Sequence, residues 1–276
     1  MSNTATVLAF DFGASSGRAI RAVYDGQNLT YEEIHRFENV PIEKDGHLCW
    51  DVETLLKEIH TAIQKAGTFD SLGFDTWGVD FGLLDADGHL LANPVHYRDA
   101  RTNGKPEQAA ACMPAEELYA HTGNQIMAIN TLFQLLALRE QDPELLQKAE
   151  QILFMPDLFA ALLGAEPVCE RSIASTSQML DPRTGQWSRE VLVAYGLPEN
   201  RFAPIVASGT VTGTLANGAK IIAVAGHDTQ CASAAMPCAE EDAEHTAFLS
   251  CGTWSLLGTE LDTPILTADS CQSGLS

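Results

Sequence analysis

The chain has 276 residues, 16 of them Lys or Arg and 37 Asp or Glu, for a formal net charge of −21. Hydrophobic residues make up 45%, a globular composition long enough for one large or two modest domains. The acidic excess excludes nucleic acid or an anionic membrane as the main partner, since both need clustered cations; a nucleotide stays open, because its phosphates need only a local cradle of N–H groups.

The chain opens with an apolar strand over Thr6 to Phe10, followed by a Gly/Ser-rich turn and a partner strand over Ala19 to Tyr24. Asp25-Gly26 turns into a third strand, Leu29 to Ile34. Asp51 is an N-cap for a helix from Val52 to Ala66, whose apolar face carries Leu55, Leu56, Ile59, Ala62 and Ile63 and which Gly67 closes. Strands are expected over Ser71 to Asp75 and Asp80 to Asp85, the second turning at Asp87-Gly88 into His89 to Ala92. The middle is helical: Asn130 caps one helix, Pro143 opens a second, Asp157 opens a third that ends at Gly164, and Trp187 to Tyr195 forms a fourth. Ile221 to Ala225 reads as a strand buried on both faces, followed by a small-residue helix from Gln230 to Ala235. Thr246 to Leu261 repeats the strand, Gly/Ser/Thr turn, strand pattern of Ala5 to Val23. The echo suggests two similar α/β lobes, although any two hairpins look alike.

Seven cysteines, at positions 49, 112, 169, 231, 238, 251 and 271, include no Cys-x-x-Cys pair, which favours neither zinc nor a disulfide framework. The start MSNTATVLAF lacks a basic stretch, and no apolar run approaches the roughly 18 residues of a membrane helix. A cytoplasmic chain is expected.

Five motifs can carry chemistry. In Asp11-Phe12-Gly13-Ala14-Ser15-Ser16-Gly17-Arg18 the glycines permit close approach of backbone to a ligand, and N–H groups with Ser hydroxyls can form an anion nest. Asp11, at the strand end, is a hard oxygen donor suited to Mg²⁺. An ordinary hairpin turn is the alternative. Thr76-Trp77-Gly78-Val79-Asp80 places an aromatic, a small residue and a carboxylate together, as sugar sites do, or is a core Trp at a strand bend. Gly226-His227-Asp228-Thr229 lies between a strand and a helix; Asp228 is a candidate proton acceptor and Thr229 a helix cap, unless Asp228 is itself the N-cap. Ser250-Cys251-Gly252-Thr253-Trp254-Ser255 is a second candidate phosphate turn. Arg98 and Arg101 stand out in a cation-poor chain, and pairing with carboxylates is favoured over ligand contact. His35, His47, His60, His89, His96, His121 and His245 show no metal-ligand spacing.

In combination these blocks resemble the FGGY family of carbohydrate kinases, nearly continuously from Val7 to the end. The most specific are DFGASSGR (11–18), EIHRFEN (33–39), DTWGVDFGLLD (75–85), YRDARTNG (97–104), MPDLFAALLG (155–164), GHDT (226–229) and SCGTWSLLG (250–258). The resemblance implies an actin/hexokinase-like α/β ATPase fold with two ribonuclease-H-like lobes. It also implies transfer of the ATP γ-phosphoryl group to the 1-hydroxyl of a ketose, L-rhamnulose, with Mg²⁺. By position, Ala14, Ser15, Ser16, Gly17 and Arg18 match the first phosphate turn and Thr253 a further ATP contact. Asp11 matches the carboxylate that orients Mg²⁺. Trp77, Gly78, Asp80, His227 and Thr229 match the ketose pocket, and Asp228 the general base. Residues 1–240 then form the first lobe, and 241–276 reach about one hairpin into a second. The expectation is a truncated frame or fragment. It acts with a missing or separately encoded second lobe, persists as a non-catalytic remnant, or serves a related ketose such as L-fuculose.

Overall fold

The computed structural model describes residues 4–239, 242, 245–251 and 255–276. Its centre is a six-stranded mixed sheet built from β1 (Ala5–Phe12), β2 (Ser16–Tyr24), β3 (Leu29–Glu38), β4 (Ser71–Thr76), β7 (Thr210–Thr214) and β8 (Lys220–Ala223). The order across the sheet is β7-β8-β4-β1-β2-β3. β1, β2 and β3 form an antiparallel meander, whereas β4 lies parallel to β1 and β8 parallel to β4. The carboxyl ends of β1, β4 and β8 therefore open on one edge, where ligand sites of such sheets form.

The sequence pattern explains how the sheet is covered. Helix α1 (Val52–Ala66) starts where the Asp51 carboxylate accepts the Thr54 N–H, carries Glu53 in its first turn and Lys65 in its last, and ends at Gly67. Leu55, Ile59 and Ala62 are buried, each large one contributing about 2 kcal/mol. On the same face α4 (Met155–Leu162) places Phe159 against Phe12, with ring centroids 4.8 Å apart, and Phe10 stacks on Phe74 at the same distance. A second core gathers around α2 (Thr131–Gln141) and α3 (Pro143–Lys148), where Leu132, Phe133, Leu135, Leu138 and Leu146 are buried. The hairpin of β9 (Ala247–Cys251) and β10 (Ser255–Thr259) pairs Leu249 with Leu257, and both side chains are exposed.

Several expected elements move. β5 (Phe81–Leu84) makes the expected turn toward His89–Ala92, with Asp85 N–H donating to His89 O at 3.0 Å and Leu91 N–H to Leu83 O at 2.9 Å around an antiparallel bridge from Leu84 to Leu90. Its longer ladder, however, is with a distant strand: β5 pairs with β6 (Gln151–Phe154), Phe81 opposite Phe154. The third helix begins at Met155 with Pro156 in its first turn; Asp157 is buried and accepts the Glu170 N–H at 3.1 Å. Gln186–Trp187 is extended, and α6 (Arg189–Ala194) starts after Ser188, whose hydroxyl accepts the Val191 N–H. Asn130 makes no cap bond; its amide donates to Gln178 Oε1 and Gln125 O. Ile221 is buried while Ile222 and Ala223 are half-buried, so β8 is not sealed on both faces. The last central helix, α7 (Asp228–Ala234), starts two residues early, with His227 as N-cap, so neither Asp228 nor Thr229 caps it. All seven cysteines are free. No helix among the described residues is long and apolar enough to cross a membrane.

Candidate active site

Three of the sequence motifs meet at the open edge of the parallel strands. Asp11 lies opposite Asp75 across β1 and β4 and opposite Arg18 across β1 and β2. The Thr76 N–H donates to Gly226 O at 2.9 Å and Thr76 bridges to His227, which brings the Gly226–Thr229 segment beside the end of β4. Thr253 lies outside the described residues, as do Gly252 and Trp254 of the second turn.

The first turn is held by backbone bonds. Gly13 N–H donates to Ser16 O, and Asn39 donates its amide to Gly13 O and its backbone N–H to Ser15 O. Neither Gly13 nor Gly17 has a positive φ, so conformational freedom is not why they are glycine. A Cβ on Gly17 would stand 2.3 Å from the Phe37 ring; Gly17 is required by packing. Arg18 donates from Nε and Nη2 to Asp11 Oδ2, at 2.8 and 2.6 Å. Ala14, Ser15 and Ser16 stay partly or fully exposed at the turn.

Asp11, Asp75 and Asp228 set up a like-charge cluster relieved by Arg18. Burial, with the charges of Asp11 and Asp228, pushes the Asp75 carboxyl up to about 8. An acid whose folded pKa exceeds its unfolded value is stabilised by its proton, so this contribution falls as pH climbs from about 4 to about 8. Asp75→Asn removes that dependence. In urea melts the variant should gain on wild type across this range and level off above it; parallel curves for the two proteins would sink the assignment.

Asp228 Oδ1 accepts the Thr229 N–H at 2.6 Å and lies 3.4 Å from His227 Nε2. Burial holds the His227 imidazole below its ordinary range. Asp228 remains accessible at the helix start, with its side chain 42% exposed.

The loop Trp77–Asp80 departs from expectation. Asp80, expected as a sugar contact, is buried. Its Oδ2 accepts from Trp50 Nε1 (2.6 Å), Trp77 Nε1 (3.0 Å) and Tyr97 N–H (3.1 Å), and its Oδ1 from Gln134 Nε2 (2.9 Å). Burial pushes its pKa up to about 6 against the pull of these donors. Trp77 is also buried and packs against Trp50 with the rings tilted by 32° and their centroids 4.0 Å apart. Gly78 is the half-exposed member. Val79 has φ +68°, and Asp80 N–H donates to Gly78 O at 2.9 Å. This is a γ-turn of the rare positive-φ kind, which for a β-branched residue stores about 1–3 kcal/mol.

The arginines also differ from expectation. Arg101 is half-buried and donates Nη2 to Gln134 Oε1 rather than to a carboxylate, and Arg98 lies over the Tyr97 ring at 5.3 Å. His89 shares its turn with Asp85 and Asp87, their ligand atoms within 4.8 Å, a grouping its spacing did not suggest. Asp85 Oδ1 there already accepts the Asp87 and His89 N–H groups. Sequence reading missed Asp75, Thr131, Gln134, Glu170, Ser172 and Thr176. Asp75 has a visible signal, a second acid one strand from Asp11.

Solved structures share this architecture. A carbohydrate kinase from Novosphingobium aromaticivorans superposes with a TM-score of 0.78 at 23% identity, covering 97% of this chain and 58% of that one. A ligand-bound xylulose kinase from Lactobacillus acidophilus gives 0.72 at 18% identity, covering 83% and 49%. The fold is the actin/hexokinase-like ATPase fold. The N-terminal domain profile of the FGGY family of carbohydrate kinases matches residues 6–234, and the chain belongs to that family. It is 41% identical over 275 residues to a rhamnulokinase of Bacteroides thetaiotaomicron, covering 95% of this chain and 56% of that protein. A rhamnulokinase of Pectobacterium atrosepticum is 41% identical over 268 residues, with 94% and 53% covered. The chain thus spans about half the length of the curated relatives it matches.

Proposed function

We infer that the chain is the ketose-binding and base-bearing half of an ATP-dependent sugar kinase that phosphorylates the 1-hydroxyl of L-rhamnulose in rhamnose breakdown. The supporting observation is the hydrogen bond from Thr76 N–H to Gly226 O, which sets the sugar loop and the Asp228 loop side by side. The likeness to rhamnulokinases over nearly the whole chain supports the choice of ketose. Residues 1–240 serve as the first lobe and 241–276 as the start of a second.

Phosphoryl transfer needs positioning and charge neutralisation more than covalent chemistry. Asp228 takes the proton of the attacking hydroxyl, and Thr229 fixes its orientation through the N–H bond to Oδ1. His227, held neutral by burial, offers the sugar a hydrogen-bonding ring without a charge. Gly78 leaves room for the ketose, while Trp77 and Asp80 shape the pocket from behind. The turn Ala14–Arg18 presents N–H and hydroxyl donors to phosphate, and Thr253 adds a contact from the second turn. The carboxylates at adjacent strand ends are hard oxygen donors and fit Mg²⁺, with Asp11 the principal holder and Asp75 and Asp228 beside it. When bound, that ion neutralises phosphate charge.

A second reading is a sugar-binding remnant without catalysis, favoured by the exposed Leu249 and Leu257 on a hairpin without further strand partners among the described residues. One assay separates the two: ATP-dependent phosphorylation of L-rhamnulose by the purified chain, alone and with the separately expressed C-terminal half of a relative. Product in either arm supports the kinase reading. Ketose binding without product in both supports the remnant. Preference for L-fuculose would overturn the choice of sugar.

A further inference from the structure

The two loops of the site are both tied to one short stretch, Glu170–Thr176, that includes α5 (Arg171–Ser175). At its start, Glu170 is 1% exposed. Its Oε2 accepts from Ser172 N–H (2.9 Å), Ser172 Oγ (2.6 Å), Ile173 N–H (3.2 Å) and, across space, Gly226 N–H (3.0 Å). Its Oε1 accepts from Ser208 Oγ at 2.6 Å. Ser172 Oγ in turn accepts the His227 N–H at 3.3 Å. The two residues before Asp228 are thus anchored to this stretch.

At its end, Thr176 Oγ1 lies 2.8 Å from Ile173 O and 3.0 Å from Val79 N. A hydroxyl has one proton, so it donates to the carbonyl and accepts the Val79 N–H. The Thr176 methyl closes on the neighbouring residue: a Cβ on Gly78 would stand 3.0 Å from Cγ2. Thr131 Oγ1 donates to Val79 O at 2.7 Å from the other side. A strained γ-turn persists only where its surroundings over-determine it, and Thr176 supplies half of that grip.

We propose that Glu170–Thr176 is a positioning strut that sets the spacing between the Trp77–Asp80 loop and the Gly226–Thr229 loop, acting through Thr176 on the first and through Glu170 and Ser172 on the second. The stretch gives the loops a common support that their own backbone contact, one bond at Thr76, does not provide. Its meaning for catalysis rests on the kinase reading; its mechanical content does not.

The test is amide hydrogen exchange on the 276-residue chain, followed in peptides spanning 76–81 and 226–231, alongside calorimetric titration with L-rhamnulose. Thr176→Val keeps the shape and removes the hydroxyl. It should speed exchange in both peptides by about tenfold, the scale of one lost buried hydrogen bond, and Thr176→Ser should restore both. Ser172→Ala should act on both peptides as well, and keeps the test open should Thr176→Val fail to fold. Ketose affinity in the double variant should fall no further than in the weaker single one, because the two changes cut the same support. The strut is refuted if each variant loosens only its own loop, or if Thr176→Ser behaves as Thr176→Val. A wild-type chain that binds no ketose yet shows the coupled exchange retires the sugar reading and supports the strut.

Discussion

Asp228→Asn should lower the rate of L-rhamnulose phosphorylation by about a thousandfold and leave ketose affinity within about threefold, the range expected when a positioned general base is removed. Asn is nearly isosteric and its carbonyl still accepts the Thr229 N–H, so the loop keeps its shape. What it loses is the capacity to take a proton. Measurement in the two-part preparation, with calorimetry on the same variant, separates kcat from binding. A near-normal kcat would remove Asp228 from the role, and Asp75, the neighbouring carboxyl with the raised pKa, would become the next residue to change.

Asp80→Ala should cost on the order of 4–5 kcal/mol of stability, among the largest effects of any single substitution. The carboxylate satisfies four donors in a place water does not reach, two of them indole N–H groups of Trp50 and Trp77. Asn does not rescue it fully. With its oxygen toward the three donors on the Oδ2 side, its amide faces the Gln134 amide. Gln134 cannot flip, because Nε2 also donates to Ile129 O and Oε1 accepts from Arg101. Urea melts should rank wild type above Asp80→Asn and Asp80→Ala lowest. Equal midpoints for the three would show that the donors find other acceptors.

How much of the fold is legible in the sequence depends on the range over which each signal acts. Helix α1 is legible from Asp51, the apolar spacing and Gly67, because each signal acts within a few residues. The meander β1 to β3 is legible for the same reason. Pairings across long gaps are not. Phe81–Leu84 precedes Asp87-Gly88, and the local return to Leu90 that this suggests does form, yet its main partner Gln151–Phe154 lies far along the chain. The site divides similarly. Asp11, Gly78 and Asp228 stand in motifs, whereas Glu170, Ser172 and Thr176 form an unremarkable Ser/Thr-rich run whose role exists only once Gly226 and Val79 arrive beside it. Asp80 shows the converse: a carboxylate beside a Trp suggests a sugar, and only the geometry reveals the four protein donors it accepts from.

The position of β8 beside β4 has a consequence for the nascent chain. The strand that completes the parallel trio follows β4 roughly 145 residues later, and such distant pairings form slowly because loop closure must precede them. At ribosomal speeds of about 5–20 residues per second, the β4 edge stays without its partner for about 7–30 s. During that interval the backbone groups of Ser71 and Leu72 that will meet Lys220 and Ile221 are open to other strands. The docking of β8 both closes the edge and delivers Asp228. The segment that carries Asp228 therefore arrives at the same moment that the β4 edge is covered, and the sheet's open edges become β7 and β3.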